Sequence, residues 1–285
     1  MMVVAFTKRN ILLYFRDKTS VFFSMLAVII LIGLYVFFLG DVTSKGLPDF
    51  PSKKSLLHSW FLAGVLAITS MTTTLGAFGI LVEDRANKRY MDFYASPISR
   101  AKLVGGYIIS ALFVGFVMCL STLIVAYVFF NLKGESQIAL SHLPYLIGVI
   151  LLSVLSSSAI VLFIVSFFKT SNAFAAASTV LGTLLGFLAG IYIPIGTLPD
   201  YLQTIVKLFP VSHSASLFRQ ILMESAMLDA FAQAPIDMKE SFQLGMGVHY
   251  RVDGVLIQSR WSVYYLIGTT IVFSCLSLIL MRKKV

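Results

Sequence analysis

The chain has 285 residues, 58% of them hydrophobic and 12% charged, where an ordinary soluble domain carries roughly 25% charged residues. That balance excludes a water-soluble enzyme, and the apolar residues gather into charge-free runs of the length, about 20 residues, that crosses a hydrocarbon core. The formal charge of +9 would suggest nucleic acid beside a soluble chain; in a membrane protein it first asks which side carries the excess.

Residues 1–20 mix Val3, Val4, Phe6, Ile11, Leu13, Tyr14 and Phe15 with Lys8, Arg9, Arg16 and Lys18, which predicts an amphipathic helix lying on the inner face against membrane lipids. The apolar run 21–40 is too long for a signal-peptide core and lacks a small-residue cleavage site, so it reads as a retained first span. Further runs at 57–82, 104–130, 144–168, 174–193 and 261–281 bring the count to six. The fold class is therefore an all-α integral membrane protein with six transmembrane helices: five within 21–193, the sixth followed by a basic tail in 261–285.

An even count puts both termini on one side. That side holds 13 Lys/Arg and 4 acids and the other holds nine of each, so the whole excess falls beside the termini, which the positive-inside rule makes cytoplasmic. Topology accounts for the charge without nucleic acid.

The second span carries hydroxyls at Thr69, Ser70, Thr72, Thr73 and Thr74. They either line a polar path or bond back to carbonyls of their own helix, the commoner use of such groups. Ser70, Thr72, Thr73 and Thr74, with Thr183 and Phe187 of the fifth span, are candidates for a substrate path. In the cytoplasmic loop 83–103, Ala86, Tyr90, Phe93 and Tyr94 recur at helical spacing among Glu83, Asp84, Arg85, Lys88, Arg89 and Asp92, and Pro97 ends the run. This predicts one short amphipathic helix, serving either as an interfacial anchor or as a docking surface for a cytoplasmic partner. In the fifth span Ser178, Gly182, Gly186 and Gly190 stand four residues apart, a small-residue ladder for close helix contact within the chain or between two copies.

The stretch 194–260 faces outward. Pro199 and Pro210 bracket ten residues whose helix would rise only about 15 Å, enough to re-enter the outer leaflet but not to span it. Farther on, Val248, Tyr250 and Val252 alternate up to Asp253-Gly254, and Val255 and Ile257 follow, which predicts a small β-hairpin.

Several chemistries have no residues to rest on. No Gly-Lys dipeptide occurs, which excludes a P-loop, and neither HExxH nor GxSxG is present. His58, His142, His213 and His249 are scattered at span edges and in loops, and Cys119 and Cys275 lie apart, so no metal site is expected. The six runs contain no Asp, Glu, Lys or Arg, so the usual intramembrane relay of an ion-driven carrier is missing.

In the order of its parts the chain resembles the type-2 ABC exporter permeases. The resemblance rests on the amphipathic start ending Arg16-Asp17, the six spans, the loop string Asp92-Phe93-Tyr94-Ala95-Ser96-Pro97-Ile98-Ser99-Arg100, and Gly190 through Pro194 with Leu198-Pro199 and Pro210. It extends to about residue 222; the outer loop after about residue 223 departs from it. The resemblance implies a dimerising permease without its own ATPase site or cofactor, ATP and Mg being held by a separate ATPase subunit. It further implies a loop helix over 83–95 seated in a groove of that subunit, where Glu83, Asp84, Arg85, Arg89, Asp92, Phe93, Tyr94 and Pro97 would make the coupling contact, and re-entrant helices after span five. An amphiphilic drug, toxin or lipid-like substrate is expected, with a polysaccharide as runner-up. An ATP-independent carrier or channel, or a membrane sensor using the outer loop, are the rivals from other classes.

Overall fold

The computed structural model describes residues 2–45, 49–95, 98–132, 140–252 and 254–283. Helix α1 (Met2–Arg16) is separated from α2 (Lys18–Leu34) by Asp17 alone, and α2 continues through a π-helical turn (Tyr35–Leu39) into α3 (Gly40–Lys45). Then come α4 (Lys53–Ala86), α5 (Tyr90–Ala95), α6 (Arg100–Leu132), α7 (Leu143–Val165) and α8 (Ser171–Leu188). Four shorter helices follow: α9 (Asp200–Leu208), α10 (Pro210–Leu222), α11 (Glu224–Ala230) and α12 (Ile236–Gly245). Strands β1 (Tyr250–Val252) and β2 (Val255–Ile257) precede α13 (Ser259–Lys283).

Among the described residues six helices are long and apolar enough to cross a membrane: Val21–Lys45, Lys53–Ala86, Arg100–Phe130, Leu143–Val165, Ser171–Leu188 and Ser259–Leu280. They coincide with the six runs, and the chain is an all-α membrane protein. Lipid offers the backbone no hydrogen bonds, so the spans close theirs internally as helices.

Helix α4 is the axis of the bundle. Its 34 residues rise about 51 Å, more than a hydrocarbon core needs. It packs against α6, α7, α8 and α10, and α13 closes the far side on α7 and α10. Leu56, Trp60, Leu66, Met71 and Phe78 of α4 are wholly buried, while α2, α8 and α13 show mostly exposed faces.

Span five is shorter than the sequence suggests. The run 174–193 reads as continuously apolar, yet α8 stops at Leu188 because Gly190 takes a left-handed φ of 65° that ends the helix and turns the chain back toward α4. Ile191 then lies on Gly64, where an added Cβ would stand 2.4 Å from the isoleucine side chain. The short helix α9 fits the space between Pro199 and Pro210, and α10 begins at Pro210. The hairpin forms with Tyr250 opposite Ile257 and Val252 opposite Val255; Val248 stays outside it, and the predicted turn residue Asp253 lies outside the described residues.

Gly64→Val should therefore lower the thermal unfolding midpoint of the purified protein, at a cost of about 1–3 kcal/mol, since the inner Cγ1 of Ile191 rather than a free side-chain end must yield. An unchanged midpoint would show that Ile191 moves aside freely.

Candidate functional site

At the end of the bundle that carries both termini, Asp84 is 1% exposed in the last turn of α4. Arg9 of α1 meets it side-on, with Nη1 2.7 Å from Oδ2 and Nη2 2.8 Å from Oδ1, and the Tyr107 hydroxyl of α6 donates at 2.6 Å. Hydrogen bonding to Asp84 raises the Arg9 guanidinium pKa above its already high ordinary value, so this cation keeps its proton. Arg89 approaches Asp84 at 3.6 Å and Glu83 at 3.5 Å. Phe6 stands edge-on to both Phe93 and Tyr107, at 5.1 and 5.0 Å between ring centres, and the Arg9 guanidinium lies 5.1 Å from the Phe93 ring. One buried carboxylate thus holds α1, the ends of spans two and three, and the loop together.

This corrects the loop in two respects. The single helix expected over 83–95 is broken: α4 runs to Ala86, Lys88 turns the chain at φ 57°, and α5 begins at Tyr90. Asp84 is no docking charge, because its oxygens are spent on groups of its own chain. Arg85 likewise donates to the Val165 carbonyl at the end of α7, at 3.3 Å. Glu83, Arg89, Met91 and Asp92 remain exposed, and Phe93 turns inward onto Phe6. Tyr94 belongs to α5; Pro97 falls outside the described residues.

Above this cluster, spans one, two and five enclose a cleft of 1160 Å³. Thr69, Thr72, Thr73, Ser178 and Gly182 line its middle, Asp17, Glu83 and Arg89 its mouth, and apolar residues such as Phe23, Val28, Leu31 and Ile68 the rest. Each hydroxyl from 69 to 74 donates to a carbonyl of its own helix, for example Thr73 to Thr69 at 2.6 Å and Thr74 to Ser70 at 3.0 Å. Ser70 and Thr74 leave the cleft altogether. Ser70 pairs with Ser157 of α7 at 3.2 Å, and Thr74 packs near Gly115 of α6. Thr183 bonds back to Thr179, and Phe187 stands edge-on to Tyr192, neither among the cleft's walls.

The small-residue ladder divides in the same way. Ser178 and Gly182 face the cleft, whereas an added Cβ at Gly186 would stand 2.0 Å from the Tyr192 ring of the same chain, and Gly190 lies past the helix end. The Tyr192 side chain of the returning segment therefore covers the ladder's face at Gly186.

At the opposite end sits a residue that the apolar runs do not reveal. Arg219 of α10 is 2% exposed and donates to three backbone carbonyls, Ala189 at 2.8 Å, Gly190 at 3.1 Å and Gly247 at 3.3 Å. The Trp60 ring lies 5.1 Å from its guanidinium, and the indole donates to the Met246 carbonyl at 2.8 Å. No carboxylate pairs with Arg219 among the described residues; carbonyl dipoles and a π-face replace one. The only sequence signal was a lone arginine within a segment rich in serine and apolar residues.

With this geometry in view, comparison with protein families finds that the ABC-2 type transporter family matches residues 2–223. The chain belongs to that family. It is an ABC transporter permease spanning the membrane several times, a transport subunit rather than an ATPase, and such permeases are normally paired with an ATPase subunit. A search of curated proteins finds no match.

Asp84→Asn should cost about 2–3 kcal/mol of stability, at the low end for a broken buried pair because Arg9 retains some contact with solvent. Tyr107→Phe should cost about 1 kcal/mol, the worth of one hydrogen bond; thermal unfolding of both variants checks the order. Arg219→Leu leaves three carbonyls unpaired and should cost about 3 kcal/mol or more. Limited proteolysis should then cut faster in 224–258 than elsewhere, and an unchanged cleavage pattern would count against Arg219 as the clamp of that region.

Proposed function

We propose that the chain is the permease of an ATP-driven exporter in the plasma (inner) membrane, with both termini cytoplasmic, moving an amphiphilic drug, toxin or lipid-like molecule outward. The observation that carries this reading is the mechanical link at the loop. The chain has no nucleotide motif and its apolar runs have no ionisable relay, so energy enters through a contact, and α5 offers one. An ATPase with its bound ATP and Mg would press on the exposed Glu83, Arg89, Met91 and Asp92. Phe93 passes the motion to Phe6 and Arg9, α1 moves with them, and α1 leads through Asp17 directly into span one, a wall of the cleft. The mostly apolar lining, relieved by hydroxyls, favours an amphiphile over a glycan. Spans one and five flank the cleft with largely exposed faces, which supports a second permease copy closing it.

Co-purification tests the assembly: the complex should contain an ATPase subunit and the mass of two permeases. Asp92→Arg reverses an exposed charge and should abolish transport and substrate-stimulated ATP hydrolysis at normal expression. Phe93→Ala should uncouple the two while the ATPase stays bound. Full transport by both variants, or transport in liposomes without any ATPase, would overturn the mechanism.

Orientation has its own measurement. Ile236 is 82% exposed on α12, so a cysteine there should react with a membrane-impermeant reagent in intact cells. Reaction only after permeabilisation would invert the topology.

A further inference from the structure

A second cavity, of 500 Å³, lies at the end opposite the termini. Three separate segments wall it: Leu39 and Val42 at the end of span one, Tyr192 and Pro194 after span five, and Phe242 and Met246 of α12 and its cap. Among the described residues no charged side chain and no histidine lines it, although Asp17, Glu83 and Arg89 all face the larger cleft. The polar side chains among its lining residues are the hydroxyl-bearing Thr43, Tyr192, Thr197 and Ser241. Pockets of about 300–1,000 Å³ with apolar walls and a few hydroxyls suit uncharged drug-sized molecules, and a charged group entering one would be desolvated without a partner.

The walls are held from behind. Trp60 fixes the Met246 carbonyl at 2.8 Å, Phe242 packs on Phe231 at 5.1 Å between ring centres, and Tyr192 lies over Gly186. A pocket built on buried partners loses little entropy when filled. Moreover, α12 lies beyond residues 2–223, so the family match does not include one of the three walls.

We infer that this cavity is a binding site for an uncharged apolar small molecule, or for the uncharged apolar end of an amphiphile. The assignment deepens the transport reading by naming what its outer station accepts, but its test needs no ATPase.

The chain's two tryptophans, Trp60 and Trp261, supply the readout. With Trp261→Phe as background, the full chain in phosphatidylcholine nanodiscs is titrated with the neutral dye N-phenyl-1-naphthylamine, excited by energy transfer from Trp60. Its anionic counterpart, 8-anilinonaphthalene-1-sulfonate, is titrated in parallel. Saturable binding of the neutral dye is expected, with the anionic one at least about tenfold weaker. Gly245 lines the pocket with open space around its absent Cβ, so Gly245→Leu fills the cavity without a backbone collision and should weaken the neutral dye roughly tenfold or more. Ser241→Phe fills it from another position with the same expected loss, so misfolding of one variant does not decide the matter. Gly148→Leu, on α7 away from both cavities and also with open space around it, should change nothing.

Unchanged dye affinity in both filling variants, or equal affinity for the two dyes, overturns the assignment. So does a Gly245→Leu variant that loses self-association while still binding dye, since a second copy would then be the occupant. Saturable neutral-dye binding in a preparation from which no ATPase is recovered would uphold the site while counting against the proposed ATP-driven export.

Discussion

The arrangement of this permease depends on a carboxylate that cannot reach water. Asp84 is carried to the end of the central helix α4, and a buried anion is stable only when its oxygens are hydrogen-bonded and its charge is met. Arg9 and Tyr107 do both, and in doing so they fix where α1 lies and how span three begins. The loop is fitted to what remains. Arg89 approaches from outside, and the Phe93 ring covers the aromatic and cationic surface that the ion pair has assembled. Remove the pair and three elements lose their common point, even though each would still be helical on its own.

At the far end the same helix meets the opposite charge under a different rule. Arg219 has no carboxylate partner among the described residues, so it collects carbonyls from the end of α8 and from the segment after α12, while Trp60 of α4 covers its face. Both glycines there, Gly190 and Gly247, have positive φ, and the carbonyl of each accepts from the guanidinium. Helix α4 is thus held by an anion at one end and by a cation at the other, and the larger cleft runs beside it. Spans one and five, which flank the cleft, are far less buried than α4.

Six spans, the amphipathic start, the short helix between Pro199 and Pro210 and the hairpin were legible, because periodicity and run length follow directly from the thickness of a bilayer. What stayed illegible were meetings between distant residues. Arg9 and Asp84 are 75 positions apart, and nothing in either neighbourhood marks them as partners. For the same reason the loop 83–103 looked like a uniform row of charges when one of them, Asp84, is internal. The hydroxyls of span two and the small residues of span five were visible as patterns, but the facing helix decides their use. Thr72 and Thr73 face the cleft while Ser70 and Thr74 pack against α7 and α6, one turn of the same helix serving both.

The π-helical turn at Tyr35–Leu39 gives span one a property that its composition conceals. Such a turn holds one more residue than an α-helical turn, so it resets the helix's angular phase by about 100°. Ala27 and Leu31 before the turn face the larger cleft, and Leu39 and Val42, at its end and beyond, face the smaller cavity. Both chambers therefore share one wall whose two halves are out of register with a straight helix. Deleting a single residue within the turn would restore α-helical phase and swing Leu39 and Val42 away from the smaller cavity with little change in the span's hydrophobicity. Drift in this segment is thereby confined to exchanges that conserve its residue count, a constraint that an apolar run in lipid does not otherwise impose.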